Sequence, residues 1–586
     1  MVVKPATCVL LLACLATLGC RAKPHQNTPE QLRAGDYLRI PLIVRPRWKA
    51  NGSQLAYLKV EDEQTRAFVY SPGEPEKLLA GSAEQLLRFV TWGPGEGELT
   101  VGVETPGNPN QQIYRLQLEQ NSLAPLAVDP RVFHEIGTYS RDGRRATISS
   151  NRRDPERYDV YIKDLESGVE NLVFEGRGRC LGLRFWGKDT LVVVEETSLD
   201  SNLLHLVNLQ DHSRRTLGKP EERCHYIKPS PKGDRVYLLT DRHSDRPYLG
   251  FWNLNTGKVE PLLQLEESIV DYTFHRGSGE AVLVVESGGQ QRLFHWDGRS
   301  QTPRALAGLS PGYIRHLRFI DRETFTFLYT NHDTPPTVMR WSLEQDKPEI
   351  VVGGDLGKLT TQQMTRPERV YFRSGELEIG AWLYTSDKNR DQAVVYLAHQ
   401  PGQHAVLRFD PVAQWFVDQG YSVLKPDFRG SGGYGRAFED LDNKEQREDA
   451  VADVLAAGNF LKGRGCNRVC LFGRGYGGYL ATAALLRGPE TFDRASALQP
   501  TLDLAWIVED CFPWQRRGWT EELGETSNQS VLPRLSNLER PLQILYKPGE
   551  KESRYLSLAG DTVSVTGTQG LGDSLELSSK FLGESP

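Results

Sequence analysis

The side chains best suited to chemistry lie in the C-terminal part of the 586-residue chain. His399 and His404 are the two imidazoles after residue 366, and residues 405–586 contain no His. An imidazole beside a hydroxyl or thiol would serve acyl transfer, taking the proton as the oxygen or sulfur attacks a carbonyl carbon. Ser431 and Cys511 are conceivable nucleophiles, but the sequence sets out no nucleophile, base and orienting group together. No cluster of His, Cys and Asp has ligand spacing, so neither a metal nor another cofactor is expected. Two glycine-rich runs stand out, Gly430 to Gly435 and Gly473 to Gly478, with Arg474, Gly475 and Tyr476 inside the second.

The elements around these residues read as one α/β unit. Val370 to Phe372 and Ile379 to Tyr384 read as strands. Val394 to Ala398, Tyr421 to Pro426 and Val469 to Phe472 read as strands alternating with helices at Pro411 to Gln419, Asp449 to Lys462 and Tyr479 to Leu486. That alternation predicts a parallel sheet with helical crossovers over residues 366–586.

The segment Asp427-Phe428-Arg429-Gly430-Ser431-Gly432-Gly433-Tyr434-Gly435-Arg436-Ala437-Phe438 resembles the R-G-S-x-G-Y-G-x-x-F segment of the prolyl oligopeptidase family. Asp453-Val454 resembles that family's D-V pair, and Gly473-Arg474-Gly475-Tyr476-Gly477-Gly478-Tyr479 resembles its G-x-S-Y-G-G-Y nucleophile elbow. The resemblance implies a β-propeller followed by an α/β-hydrolase domain, and a serine-type peptidase site between Ser, Asp and His. An elbow turns a strand sharply into a helix, so small residues flank the nucleophile, whose neighbour's N–H helps bind the oxyanion.

Each triad position departs from that pattern. The serine position is Gly475, which has no side chain to attack with. The acid position falls on Lys551 or, with a one-residue shift, Glu550, and the histidine position falls near Leu571 in Gly570-Leu571-Gly572. The family's His-Gly-Gly-Pro reads His399-Gln400-Pro401-Gly402. Disabling a triad costs on the order of 10⁶ in rate, and the remaining hole and binding contacts give about 10³–10⁴ over water. Joint loss points to a natural pseudoenzyme rather than to a single knockout. His399, Tyr434, Arg474 and Tyr476 are expected to form the shell of the former site.

Ahead of this unit one phrase recurs: an aromatic or apolar anchor, a turn with Gly or Asp, then a strand. The anchors are Trp48, Trp92, Tyr139, Phe185, Ile227, Phe274 and Phe319, at spacings of 44, 47, 46, 42, 47 and 45. That period, with several short strands per unit, predicts a seven-bladed propeller over residues 35–365.

Residues 1–19 read as a lipoprotein-type signal: Lys4, an apolar run from Ala6 to Leu18, then Thr17-Leu18-Gly19-Cys20 with Cys20 as the lipidated residue. Residues 20–34 read as a polar stalk. The expected place is the bacterial cell envelope, at the periplasmic or outer-membrane face. Export permits disulfides, and Cys180 and Cys224, five residues before Phe185 and Pro229 at matching points of two successive units, could form one; Cys466 and Cys470 read as structural thiols. Lys+Arg 70 against Asp+Glu 76 gives a net charge of -6, which does not suggest nucleic-acid binding.

Two functions remain open on the sequence: a non-catalytic binding protein that takes a peptide or protein in the propeller channel or the interdomain cavity, and an active serine-type peptidase acting on short peptides. A third, an anchored propeller with a decaying C-terminal domain, predicts that residues 366–586 are dispensable.

Overall fold

The computed structural model describes residues 32–61, 64–79, 85–199, 201–219, 223–230, 235–526, 529–549 and 552–584. Cys20, Glu550 and Lys551 lie outside them.

Seven four-stranded antiparallel sheets follow one another from Leu42 to Val352, each built from four consecutive strands. All seven anchors fall at or near the end of the first strand of a blade, as in Leu42–Trp48, Leu86–Trp92 and Tyr313–Phe319. The following turn explains the sequence signal. In blade 3, Gly143 adopts φ +71°, which an L side chain resists, and Asp142 accepts hydrogen bonds from Ser140 Oγ (2.6 Å) and Arg144 N (3.0 Å). Blades pack face to face through apolar layers. Ile43 and Tyr57 of blade 1 meet Val338 and Val352 of blade 7, and Arg318 of blade 7 donates to the carbonyls of Trp48 and Lys49 in blade 1. Side chains therefore join the ends of the ring, since no strand is shared between blades.

First strands approach one another between blades 1 and 2, 3 and 4, and 6 and 7, the innermost strands of the ring. Every one of the seven carries a register break against its partner strand. Such bulges re-aim side chains and take backbone groups out of the ladder.

The expected bridge between Cys180 and Cys224 is corrected: both remain thiols. Cys180 opens the first strand of blade 4 and Cys224 that of blade 5, the matching positions the repeat predicted. Yet Cys180 packs with Tyr158 and Val160 in the layer between blades 3 and 4, while Cys224 packs with Val192 and Trp252 in the layer between blades 4 and 5. The sheet of blade 4 stands between them.

The C-terminal domain is an eight-stranded sheet. Its strands are β1 (Glu368–Ser374), β2 (Leu377–Tyr384), β3 (Gln392–Leu397), β4 (Ser422–Pro426), β5 (Arg468–Arg474), β6 (Ala495–Leu498), β7 (Leu542–Tyr546) and β8 (Val563–Gly567), in the order β1-β2-β4-β3-β5-β6-β7-β8. From β4 to β8 all neighbours are parallel. Before it in the chain lies α1 (Ala34–Leu38); its later helices include α2 (Pro411–Asp418), α3 (Arg447–Gly463), α4 (Tyr476–Arg487) and α5 (Leu571–Gly583). Asp410 starts α2 by accepting from the amides of Val412 (3.1 Å) and Ala413 (3.0 Å), with Pro411 in the first turn where no amide is missed. One continuous core takes Val395, Leu471 and Ile544 from one face of the sheet, with Val454 of α3 and Leu480 of α4 packed on it. α1 packs on α2 and α5, with Tyr37 edge-on to Trp415 at 5.8 Å, so the propeller begins after it.

Candidate functional site

Strand β5 ends at Arg474 and α4 begins at Tyr476, so Gly475 is the single residue of the turn, with φ +54° and ψ −119°. Its amide donates to Leu498 O (3.1 Å), and its carbonyl accepts from Thr501 N (3.0 Å) and Tyr479 N (3.2 Å). The glycine before it is set by crowding: a Cβ at Gly473 would lie 2.1 Å from Gly477 O. The elbow geometry expected from the sequence is present.

What surrounds it is not open. A Cβ built on Gly475 would lie 2.5 Å from His399 Nδ1 and 2.6 Å from His399 Cε1. The His399 imidazole thus occupies the place of a side chain at position 475. Tyr476 N–H, the donor an elbow offers to an oxyanion, is bonded to His399 O at 3.0 Å. Partial burial and the charge of Arg474 lower the His399 pKa, which keeps the ring neutral.

A cavity of about 260 Å³ lies over the carboxyl ends of β3, β4, β5 and β6. His399, Arg474 and Leu571 line it. Tyr434 and Tyr476 are corrected: neither lines it. The Tyr434 hydroxyl donates to Asp427 Oδ2 (2.6 Å) and contacts Arg369, a buried network in which Asp427 also accepts from Ala405 N. Tyr476 turns its ring into the core, stacked on Tyr479 at 5.9 Å with its hydroxyl accepting from Arg447 (3.1 Å). Only its amide faces the former site.

Sequence reasoning missed Gln403, Arg408 and Lys425 in the same wall. Lys425 pairs with Asp410, the residue that caps α2. It also missed the partner of His404, which is Glu286 of blade 6 at 2.7 Å. Burial opposes the charge on both, but the mutual hydrogen bond prevails, raising the His404 pKa and lowering that of Glu286. The second imidazole is therefore committed to an ion pair across the domain boundary. No local signal joins residues 118 positions apart.

The conceivable nucleophiles do not reach the cavity. Ser431 is fully buried, its hydroxyl without a partner among the described residues. Cys511 lies half-buried against Val508 O, and desolvation raises its pKa. The Asp453 of the D-V pair is a clamp: it accepts from Arg429 N (2.8 Å), Nε (2.9 Å) and Nη2 (2.7 Å), tying the Gly430 loop to α3.

The two domains meet through direct contacts that leave between them a cavity of about 980 Å³, lined by Glu195 and His205 of the propeller and Trp514 and Arg517 of the hydrolase domain. Arg223 donates to Glu439 and Asp440 (both 2.9 Å), Asp245 O accepts from Arg436 N (2.9 Å), and Trp514 packs on Tyr158 at 4.6 Å.

Comparison with known proteins places these features in context. A family model described as "Prolyl oligopeptidase family" matches residues 407–561. The dipeptidyl aminopeptidase BIII of Pseudoxanthomonas mexicana is 33% identical over 480 residues, 75% of this chain and 68% of that protein. The prolyl endopeptidase of Elizabethkingia meningoseptica is 22% identical over 366 residues, 61% of this chain and 45% of that protein. The chain spans about half the length of some curated relatives it matches, 45% and 59% for two of them. In fold, the chain is similar to a puromycin-hydrolyzing peptidase of Mycobacterium tuberculosis, with a TM-score of 0.80 at 16% identity over 95% of this chain and 96% of that one.

Proposed function

Since this chain belongs to the prolyl oligopeptidase family, we propose that it is a pseudopeptidase of that family, one that holds a peptide or protein ligand without cutting it. The observation that carries this reading is the His399 ring in the space of the missing side chain at Gly475, with the adjacent amide bonded to His399 O. A nucleophile, a base and an oxyanion donor are all needed at one point. Here the first has no atoms, the second imidazole is paired with Glu286, and the third is occupied. The fold is retained because its parts still support one another: Asp453 holds the glycine loop and Gly475 joins β5 to α4.

Attachment to the cell envelope through a lipidated Cys20 is the accompanying proposal, supported by the apolar run that precedes it. Labelling with a fatty-acid probe, lost in Cys20→Ala, checks it.

The reading is tested by incubating the purified protein with a fluorophosphonate probe and with Gly-Pro and Ala-Pro reporter peptides. No labelling and no turnover are expected. Stoichiometric labelling of any residue would restore the active-peptidase reading that the relatives' names suggest.

A further inference from the structure

A second cavity, of about 430 Å³, opens on the propeller axis and is lined from blades 1, 5, 6 and 7. That volume is within the range of ligand pockets. Arg47, Lys228, Arg315 and Arg318 line it, and among its described lining residues Asp271 is the one carboxylate. Lys228 takes that carboxylate at 3.0 Å. Arg47 and Arg318 donate instead to main-chain carbonyls, of Pro46 and Lys49 respectively, which leaves their charge uncancelled.

More positive charge gathers beside it. Arg45 acts on Arg47, and Arg276 acts on both Arg318 and Arg184 of blade 4. Burial, reinforced by these like charges, holds Arg47, Arg184 and Arg318 below the ordinary guanidinium value. His316 shows the same field: burial first, then Arg47, lowers its pKa to about 4, so it stays neutral. The strand bulges place these groups on the axis, between Val44 and Arg47 in blade 1, His225 and Lys228 in blade 5, and Arg315 and Arg318 in blade 7. Arg45 and His316 stand at positive φ, 53° and 58°, a conformation uncommon for such side chains.

Desolvated like charges gathered around an open space oppose the folded state unless a counter-charge enters. Guanidinium forks match carboxylate and phosphate oxygens alike. The apolar share of the wall, Trp48, Leu317, Phe327 and Val338, would add nothing for a bare inorganic anion but suits a chain with carbon between its charges. Backbone groups released at the bulges can bond to an extended main chain.

We propose that this cationic arc of the propeller channel is a binding site for an acidic peptide segment, whose carboxylates are taken by Arg47 and Arg318 in its wall, with Arg45 and Arg276 adding positive charge beside it. The inference deepens the reading that the protein binds peptides without cutting them.

The test uses the full mature chain and a fluorescein-labelled peptide of six glutamates, followed by anisotropy, with a six-lysine peptide and inorganic pyrophosphate as comparisons. Binding is expected for the glutamate peptide alone of the two peptides, weakening as salt rises from about 0.05 to about 0.5 M because the Debye length shrinks. Arg45→Glu/Arg276→Glu, at two exposed side chains, should weaken it at least about tenfold. Lys258→Glu/Lys347→Glu, the same charge change on the outside of blades 5 and 7, should not. Arg47→Gln provides a milder variant, expected to act in the same direction with Tm unchanged or raised. Absence of glutamate-peptide binding at low salt, equal loss in both double variants, or pyrophosphate binding while the peptide stays free would each overturn the proposal. The peptide's mass after incubation reports separately on cleavage: intact peptide keeps the non-catalytic reading whichever way the anisotropy falls.

Discussion

The elbow of the hydrolase domain and the channel of the propeller treat an open space in opposite ways. At the elbow the backbone keeps the geometry of a reactive site, and the space in front is filled by His399. In the channel, backbone irregularities turn Arg47, Lys228 and Arg318 toward a space that stays open. One region preserves form after losing its reactive group; the other concentrates more cations than Asp271, the one carboxylate among its described lining residues, can balance. The difference teaches that retained glycines alone do not indicate a working site. Gly473 is needed by the strand-to-helix turn itself, whereas packing gives no reason for so many cations on one axis.

Four measurements would break or sharpen that contrast, beginning with the largest effect. Asp453 is fully buried and bonds three Arg429 nitrogens, so Asp453→Ala should destabilise the protein by about 3–5 kcal/mol in urea unfolding, because it removes three hydrogen bonds to a charged group and leaves Arg429 with Asp449 at 3.5 Å. Surviving folded protein should still bind the glutamate peptide, which separates scaffold from channel.

Next is Gly475→Ser. The left-handed φ and the clash with His399 should cost about 1–3 kcal/mol, with no turnover of Ala-Pro reporters. Adding His399→Gly should recover part of the stability and still give no turnover. Activity in the single variant would make the His399 imidazole its base, and activity in the double variant would show that a group other than His399 serves the elbow.

The third concerns the pair that joins the two regions. His404 has its pKa raised above 6.5 in the folded protein, so its contribution is complete below 6.5 and disappears as pH rises through the raised value. Glu286 has its pKa lowered below 4.5, so its contribution is complete above 4.5 and disappears as pH falls through the lowered value. Stability from the pair should be greatest between pH 4.5 and 6.5 and worth about 1–3 kcal/mol, a hydrogen bond between charged groups. Scans of Tm against pH should show the optimum in the parent and a flatter curve in His404→Gln; matching curves would remove the pair from the interface energetics.

The smallest effect concerns the thiols. Cys180, with its pKa raised by burial and Glu195, and Cys224 in the next layer should both resist alkylation until the protein unfolds, and both should then react without reductant. A mass shift lacking those two additions would restore the bridge.

Much of the fold was legible because its signals are local. An anchor followed by Asp142-Gly143 announces a hairpin within a few residues, and the helix starting at Pro411 carries its own cap in Asp410. The elbow was legible for the same reason, since Gly473 answers to Gly477 O within its own turn. The pairing of Cys180 with Cys224 was misread because repeat position fixes height in the ring but says nothing of which side of blade 4 each sulfur occupies. Tyr434 and Tyr476 were misplaced because a motif fixes backbone position while Asp427 and Arg447 decide where the rings point. The channel charge was hidden because its members come from strands hundreds of residues apart and meet only when the ring closes.

The seat of α1 has a mechanical consequence. Ala34–Leu38 is held by α2 and α5, with Tyr37 against Trp415, so any pull from the preceding chain enters through the hydrolase body. The blades then carry none of that load. A tether at that end would act on the hydrolase body before it reached the ring.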